Sequence, residues 1–227
     1  MKPVAFAASL CLMGLLPLPA HPVSDSRQEF LQALRSTPSM DRGAELFDTC
    51  AACHGTSGSG TRDGAIPRIA GQHYSVVAKQ LVDYRHDRRW DPRMEHFANQ
   101  HHLADAQAIS DVAGYIQHLE LSSAPGLGTG ELVEHGRSVY ADRCKSCHGT
   151  AGEGNAKTLV PRIAGQHYEY LRRQFYDAVE GRRPNFSVRH VRLFAGLERD
   201  DIVGLADYLS RMTPVSNPQP MPQGAGR

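Results

Sequence analysis

Apolar residues recur along this chain with the period of a helix and nowhere with that of a strand. The clearest stripe is Ile109, Val112, Ala113 and Ile116, spaced i, i+3, i+4 and i+7. It predicts an amphipathic helix laying one apolar face on a neighbour. Ile202, Leu205, Ala206 and Leu209 repeat the spacing. Asp105 and Asp200 stand where the caps of these two helices belong, because a short carboxylate accepts the unpaired N–H groups of a first turn. Ahead of them, Val77, Leu81 and Tyr84 predict a middle helix, answered later by Leu171, Phe175 and Val179. Leu46 and Phe47 predict a short helix before His54, and Phe30, Leu31 and Leu34 a single helical turn closed by Pro38. The fold class that follows is all-α.

The pattern comes twice because the chain is duplicated. Pro67-Arg68-Ile69-Ala70-Gly71-Gln72-His73-Tyr74 returns unchanged as Pro161-Arg162-Ile163-Ala164-Gly165-Gln166-His167-Tyr168, 94 positions later. Self-similarity at one long period marks tandem units rather than one large domain. The predicted division is 1–20 as a signal peptide, 21–40 as an N-terminal segment, 41–120 as a first domain, 121–130 as a linker, 131–213 as a second domain and 214–227 as a disordered tail. The segment from Ser122 to Gly130 has the Ser, Pro and Gly content of a connection, and the tail is rich in Pro, Gln and Gly.

The first twenty residues change the cellular picture. Lys2 precedes an apolar run from Val4 to Leu18 and then Pro19-Ala20, the form of an export signal cut after Ala20. A retained anchor is the alternative, against which the run falls short of the ~20 residues that span a bilayer. Cys11 lies inside this segment and reads as one more apolar residue. Without Lys2 the formal charge of +1 becomes zero, and the chain lacks the basic field a nucleic-acid partner needs. Residues 41–120 hold 8 Lys+Arg against 11 Asp+Glu, and residues 131–213 hold 13 against 11. That asymmetry either orients a charged partner over one lobe or is ordinary solvated charge.

The remaining cysteines carry the chemistry. They form Cys50-Ala51-Ala52-Cys53-His54 and Cys144-Lys145-Ser146-Cys147-His148, again 94 positions apart. A Cys-x-x-Cys-His run reads as covalent haem c attachment. The two thiols reach the two vinyl groups of one porphyrin, and the adjoining histidine comes under the iron as its proximal ligand. A redox disulfide and a four-cysteine zinc site are the other chemistries such pairs allow. Zinc pairs usually lie ~15–20 residues apart and need no histidine here. Export agrees with thiols handled in an oxidising compartment. Each lobe has some 80 residues, a size at which a covalent or metal staple replaces much of the missing core, so haem-free chain should be largely unfolded.

With these motifs in view the chain resembles the c4-type di-haem cytochromes c, tandem class-I cytochrome c domains of the bacterial periplasm that pass electrons to terminal oxidases. The two Cys-x-x-Cys-His-Gly runs, the repeated octapeptide, Lys79-Gln80-Leu81, Ala113-Gly114-Tyr115 and Ala206-Asp207-Tyr208 carry the likeness. The resemblance implies two helical domains, each built around one covalent haem c. It implies that Pro67 and Pro161 offer backbone carbonyls to the ring N–H of His54 and His148. Arg68 and Arg162 are then either neighbours of haem propionates or surface arginines. The distal ligand of the family is a methionine between the middle and last helices, which points to Met94 for the first iron. The second lobe departs from this, since the residue 94 places after Met94 is Val188. His190 is the nearest competent side chain there, with an open or water-bound iron or a more distant ligand as alternatives. His96 is the repeat mate of His190 and a competitor for the first iron, and His101 and His102 add candidates. His73 and His167 read as structural. The expected function is electron transfer in the periplasm between redox proteins, a membrane oxidase or a dehydrogenase, with membrane contact only through such a partner. The alternative is a di-haem enzyme or sensor whose second iron binds peroxide, a gas or a sulfur compound.

Overall fold

The computed structural model describes residues 22–121 and 124–215. The expected signal peptide, Ser122 and Ser123 of the linker, and the tail from 216 onward lie outside the described residues. No helix among the described residues is long and apolar enough to cross a membrane.

The first lobe contains α1 (Pro22–Arg35), α2 (Met40–His54), α3 (Tyr74–Arg85), α4 (Pro92–Ala98) and α5 (Ala106–His118). Instead of the expected single turn, α1 runs for 14 residues. It is held by tertiary contacts that periodicity does not reveal: Ala33 is buried and its carbonyl accepts from the Tyr74 hydroxyl at 2.5 Å. The Asp105 carboxylate caps α5 by accepting from Ala108 N–H at 2.9 Å, a contact worth about 1 kcal/mol. Ile109, Val112, Ala113 and Ile116 form its buried stripe, packed with Phe47, Leu81 and Val82 into one core.

The second lobe contains α6 (Val133–Val139), α7 (Lys145–His148), α8 (Tyr168–Val179), α9 (Val188–Phe194) and α10 (Arg199–Arg211). Ile202, Leu205, Ala206 and Leu209 centre its core, with Leu171 and Phe175. Val179, expected on that face, is exposed, and Ala178 is buried in its place. Asp200 is not the cap of α10. Glu198 holds that position, and the Asp201 carboxylate accepts from its N–H at 2.9 Å. Among the described residues the sole extended pairing is an isolated bridge between Asn155 and Val160.

Where α2 is continuous, α6 and α7 are joined by a π-helical turn at Tyr140–Cys144. The cause is visible in the numbering. Gly43 lets α2 approach the Asp111 carbonyl of α5, and Gly136 lets α6 approach the Gly204 carbonyl of α10. Seven steps separate Gly43 from Cys50 but eight separate Gly136 from Cys144. A π-turn absorbs one extra residue without moving either end of a helix. A methyl group at Gly136 would land on the Gly204 carbonyl. Gly136→Ala is therefore expected to destabilise the second lobe by about 3 kcal/mol, read as a lowered midpoint in thermal unfolding.

The lobes dock through the repeated octapeptide. Gln72 donates to Arg162 O at 2.8 Å and accepts from Arg162 N–H at 2.9 Å, while Gln166 donates to Arg68 O at 2.8 Å and accepts from Arg68 N–H at 3.0 Å. His73 Nε2 reaches Glu153 O at 2.8 Å, and His167 Nε2 reaches Ser59 O at 2.7 Å. Each of these contacts has its mate 94 positions away, so this part of the interface has pseudo-twofold symmetry. The connecting segment is strapped to the second lobe: Gly128 and Gly130 N–H groups donate to the Asp207 carboxylate at 3.1 and 2.7 Å.

Candidate functional site

Each Cys-x-x-Cys-His run ends a helix, and a glycine in the left-handed region follows, Gly55 at φ 75° and Gly149 at φ 83°. The chain then folds back under the histidine. Gly60 N–H donates to His54 O at 2.8 Å, and Gly154 N–H to His148 O at 2.9 Å. This brings Pro67 O to 2.9 Å from His54 Nδ1 and Pro161 O to 3.1 Å from His148 Nδ1. Since a carbonyl only accepts, Nδ1 carries the proton, and the Nε2 lone pair is left for a metal. Burial depresses both histidines, His54 below its ordinary value and His148 down to about 4. They are neutral near pH 7, as ligation requires.

The cysteines do not suit the other chemistries. Burial pushes the Cys50 and Cys144 thiols up to about 11, opposite to the lowered value of a reactive dithiol. The pairs sit in separate lobes, and no cluster of three or more metal-ligating side chains forms among the described residues.

The side chains expected on the distal side lie on α4 and α9. In the first lobe the Asp91 carboxylate caps α4, accepting from Met94 N–H at 3.4 Å. Met94 packs against the lobe's core, and the charges of Asp91 and Arg93 act on His54. In the second lobe Ser187 caps α9, and Val188 is 67% exposed at its start. His190 faces inward, its ring centre 6.1 Å from that of His148. Phe186 and Phe194 flank it, with ring centres at 5.2 and 5.9 Å. Metal–imidazole bonds of about 2 Å on opposite sides of one ion put ring centres about 6 Å apart. The observed pair has that separation. His96 does not follow its repeat mate: it is exposed, with Nε2 3.2 Å from His102 Nε2.

Arg68 is buried rather than at the surface and donates across the interface to Gly165 O at 2.6 Å. Arg162 crosses the other way, and its Nε is buried without a hydrogen-bond partner among the described residues. Two further arginines reach across the interface. Arg89 donates to Tyr170 at 2.7 Å and Gln80 at 2.7 Å, and Arg183 to Gln174 at 2.8 Å. Burial and the neighbouring Arg89 depress Arg183 to about 10. The orphaned Arg162 Nε fits the carboxylates that a haem brings. Neither Arg89 and Arg183 nor Gln72 and Gln166 stood out in the linear reading, although all four sit in mated positions 94 apart.

His73 and His167 are structural. His167 donates from Nε2 and accepts Gly126 N–H at Nδ1, 3.0 Å away. Burial lowers its pKa from 6.5. Protonation would set one N–H against another, so its contribution to stability is complete above pH 6.5 and lost as pH falls through the depressed folded value. The expected outcome is a lower protection factor for the Gly126 amide below pH 6.5, absent in His167→Gln.

Comparison with known proteins agrees with this geometry. The family model Cytochrome c matches residues 40–120 and again 133–213. A cytochrome c4 of Thiocapsa roseopersicina is 31% identical over 182 residues, covering 75% of this chain and 90% of that protein. A thiosulfate dehydrogenase electron acceptor of Stutzerimonas stutzeri (strain A1501) is 29% identical over 175 residues, covering 72% and 78%. The reduced cytochrome c4 from Pseudomonas stutzeri superposes with a TM-score of 0.69 at 26% identity, covering 78% of this chain and all of that one. Two Cys-x-x-Cys-His sites, each with a neutral buried histidine, and one family model matched twice lead to one assignment: the chain belongs to the cytochrome c family, as an electron-transfer cytochrome of the c4 kind with two covalently attached haems c.

Proposed function

We propose that the protein is a periplasmic carrier in which Cys50 and Cys53 hold one haem and Cys144 and Cys147 the other. His54 and Met94 would hold the first iron, and His148 and His190 the second. The haems supply one-electron ferrous–ferric chemistry. The protein's part is to fix both ligand pairs, to exclude water through the cores around them, and to hold the lobes together through Gln72, Gln166 and the cross-lobe arginines. Pro67 and Pro161 orient the proximal rings.

The observation that carries this reading is the 6.1 Å between His148 and His190. It supports a second iron held from both sides, with no position for peroxide, a gas or a sulfur compound. Methionine raises a haem's potential relative to histidine, so electrons enter at the second lobe and leave from the first. The partners are redox proteins, a dehydrogenase as donor and a membrane oxidase as acceptor. Likeness to an electron acceptor of a dehydrogenase supports the donor. Carbon monoxide added to reduced protein is expected to leave the spectrum unchanged. A shift in half of the haem would instead favour the enzyme or sensor reading. A potentiometric titration should resolve two waves, the higher one altered by Met94→His.

A further inference from the structure

Outside the haem sites, two imidazoles among the described residues converge. His96 on α4 and His102 in the turn before α5 place their Nε2 atoms 3.2 Å apart. Their ring centres are 4.9 Å apart and their planes meet at 68°. A head-on imidazole hydrogen bond at this nitrogen separation would put ring centres about 5.5 Å apart. Two lone pairs aimed at one ion, with metal–nitrogen bonds of about 2 Å, give about 5 Å and an angle near 100° at the metal. The observed rings match the second arrangement.

The orientation is built in. Phe97 packs against both imidazoles, its ring centre 5.1 Å from that of His96 and 5.2 Å from that of His102. Leu103, the next residue, is buried and anchors the turn. The second lobe has no counterpart, because the residue 94 places after His102 is Gly196.

We propose that His96 and His102 form a two-imidazole site for a borderline transition-metal cation, with Cu2+ bound most tightly and Zn2+ or Ni2+ more weakly. Imidazole suits these ions, and affinity among them peaks at Cu2+. Water completes the coordination, since no third protein ligand stands within reach among the described residues. An occupied site ties α4, which carries Met94, to the turn that leads into α5.

The test is calorimetric titration of the oxidised holo-protein with Cu2+, with electron paramagnetic resonance of the bound ion. One ion held by two imidazole nitrogens is expected. His96→Gln and His102→Gln should each weaken binding about 100-fold, because losing one arm removes the effective concentration of the other. His101→Gln should leave binding unchanged. The haem spectra of all variants serve as the check that the lobe is folded. Unaltered Cu2+ affinity in either the His96 or the His102 variant, or equal loss in the His101 variant, would overturn the assignment.

Discussion

A chain made haem-free by replacing Cys50, Cys53, Cys144 and Cys147 with alanine is expected to show no cooperative thermal transition. The family model spans residues 40–120 in one lobe and 133–213 in the other. Cores of that size supply only about 3–5 kcal/mol. Within them each proximal histidine is buried, His54 at 6% and His148 at 7% exposure. Their ring nitrogens toward the haem side lose water on burial and recover a partner only when an iron is present. Because the two cores are separate clusters, the double variant Cys144→Ala/Cys147→Ala should keep one haem and one folded lobe. Differential scanning calorimetry reads both outcomes. A single sharp transition in the four-fold variant would show that the helices hold without their cofactor.

His190→Ala is expected to convert the second haem from six-coordinate low-spin to a five-coordinate or water-bound state that takes up carbon monoxide. Half of the total haem should respond, since the ligands of the first iron lie in the other lobe. Phe186 and Phe194 border the vacated position on α9, and neither offers a ligand atom. Val188 is exposed at the start of the same helix and has none to give. His190→Met should instead keep the iron closed and raise its potential, within the ~0.8 V that axial ligation spans across haem proteins. Magnetic circular dichroism separates the cases. If the second haem of His190→Ala stays low-spin and six-coordinate, another side chain ligates it.

Much of this was legible in one dimension. The stripe at Ile109 and its partner at Ile202 have one dominant neighbour, and a helix with one apolar face announces itself through spacing alone. The haem motifs are legible for a similar reason: both thiols and the proximal ligand sit within five consecutive residues, so no folding is needed to bring them together. The distal side is different. Met94 lies 40 residues from His54 and His190 lies 42 from His148, and only the packing of α4 and α9 decides which side chain points inward. His96 and His190 are repeat mates, yet one turns out toward His102 and the other in toward His148.

Local determinants therefore settled that the striped segments are helical, that the unit is duplicated, and where each porphyrin is anchored. Capping and docking belonged to the tertiary structure. Asp200 is the better cap on paper, and the Asp201 carboxylate on the Glu198 N–H placed the cap at Glu198 instead. The octapeptide looked like two copies of a loop, and its use as an interface exists only when both copies meet. A side chain such as Gln72 has no apolar periodicity to betray it. Its role comes from a backbone 90 residues away that presents both an N–H and a carbonyl to a single amide.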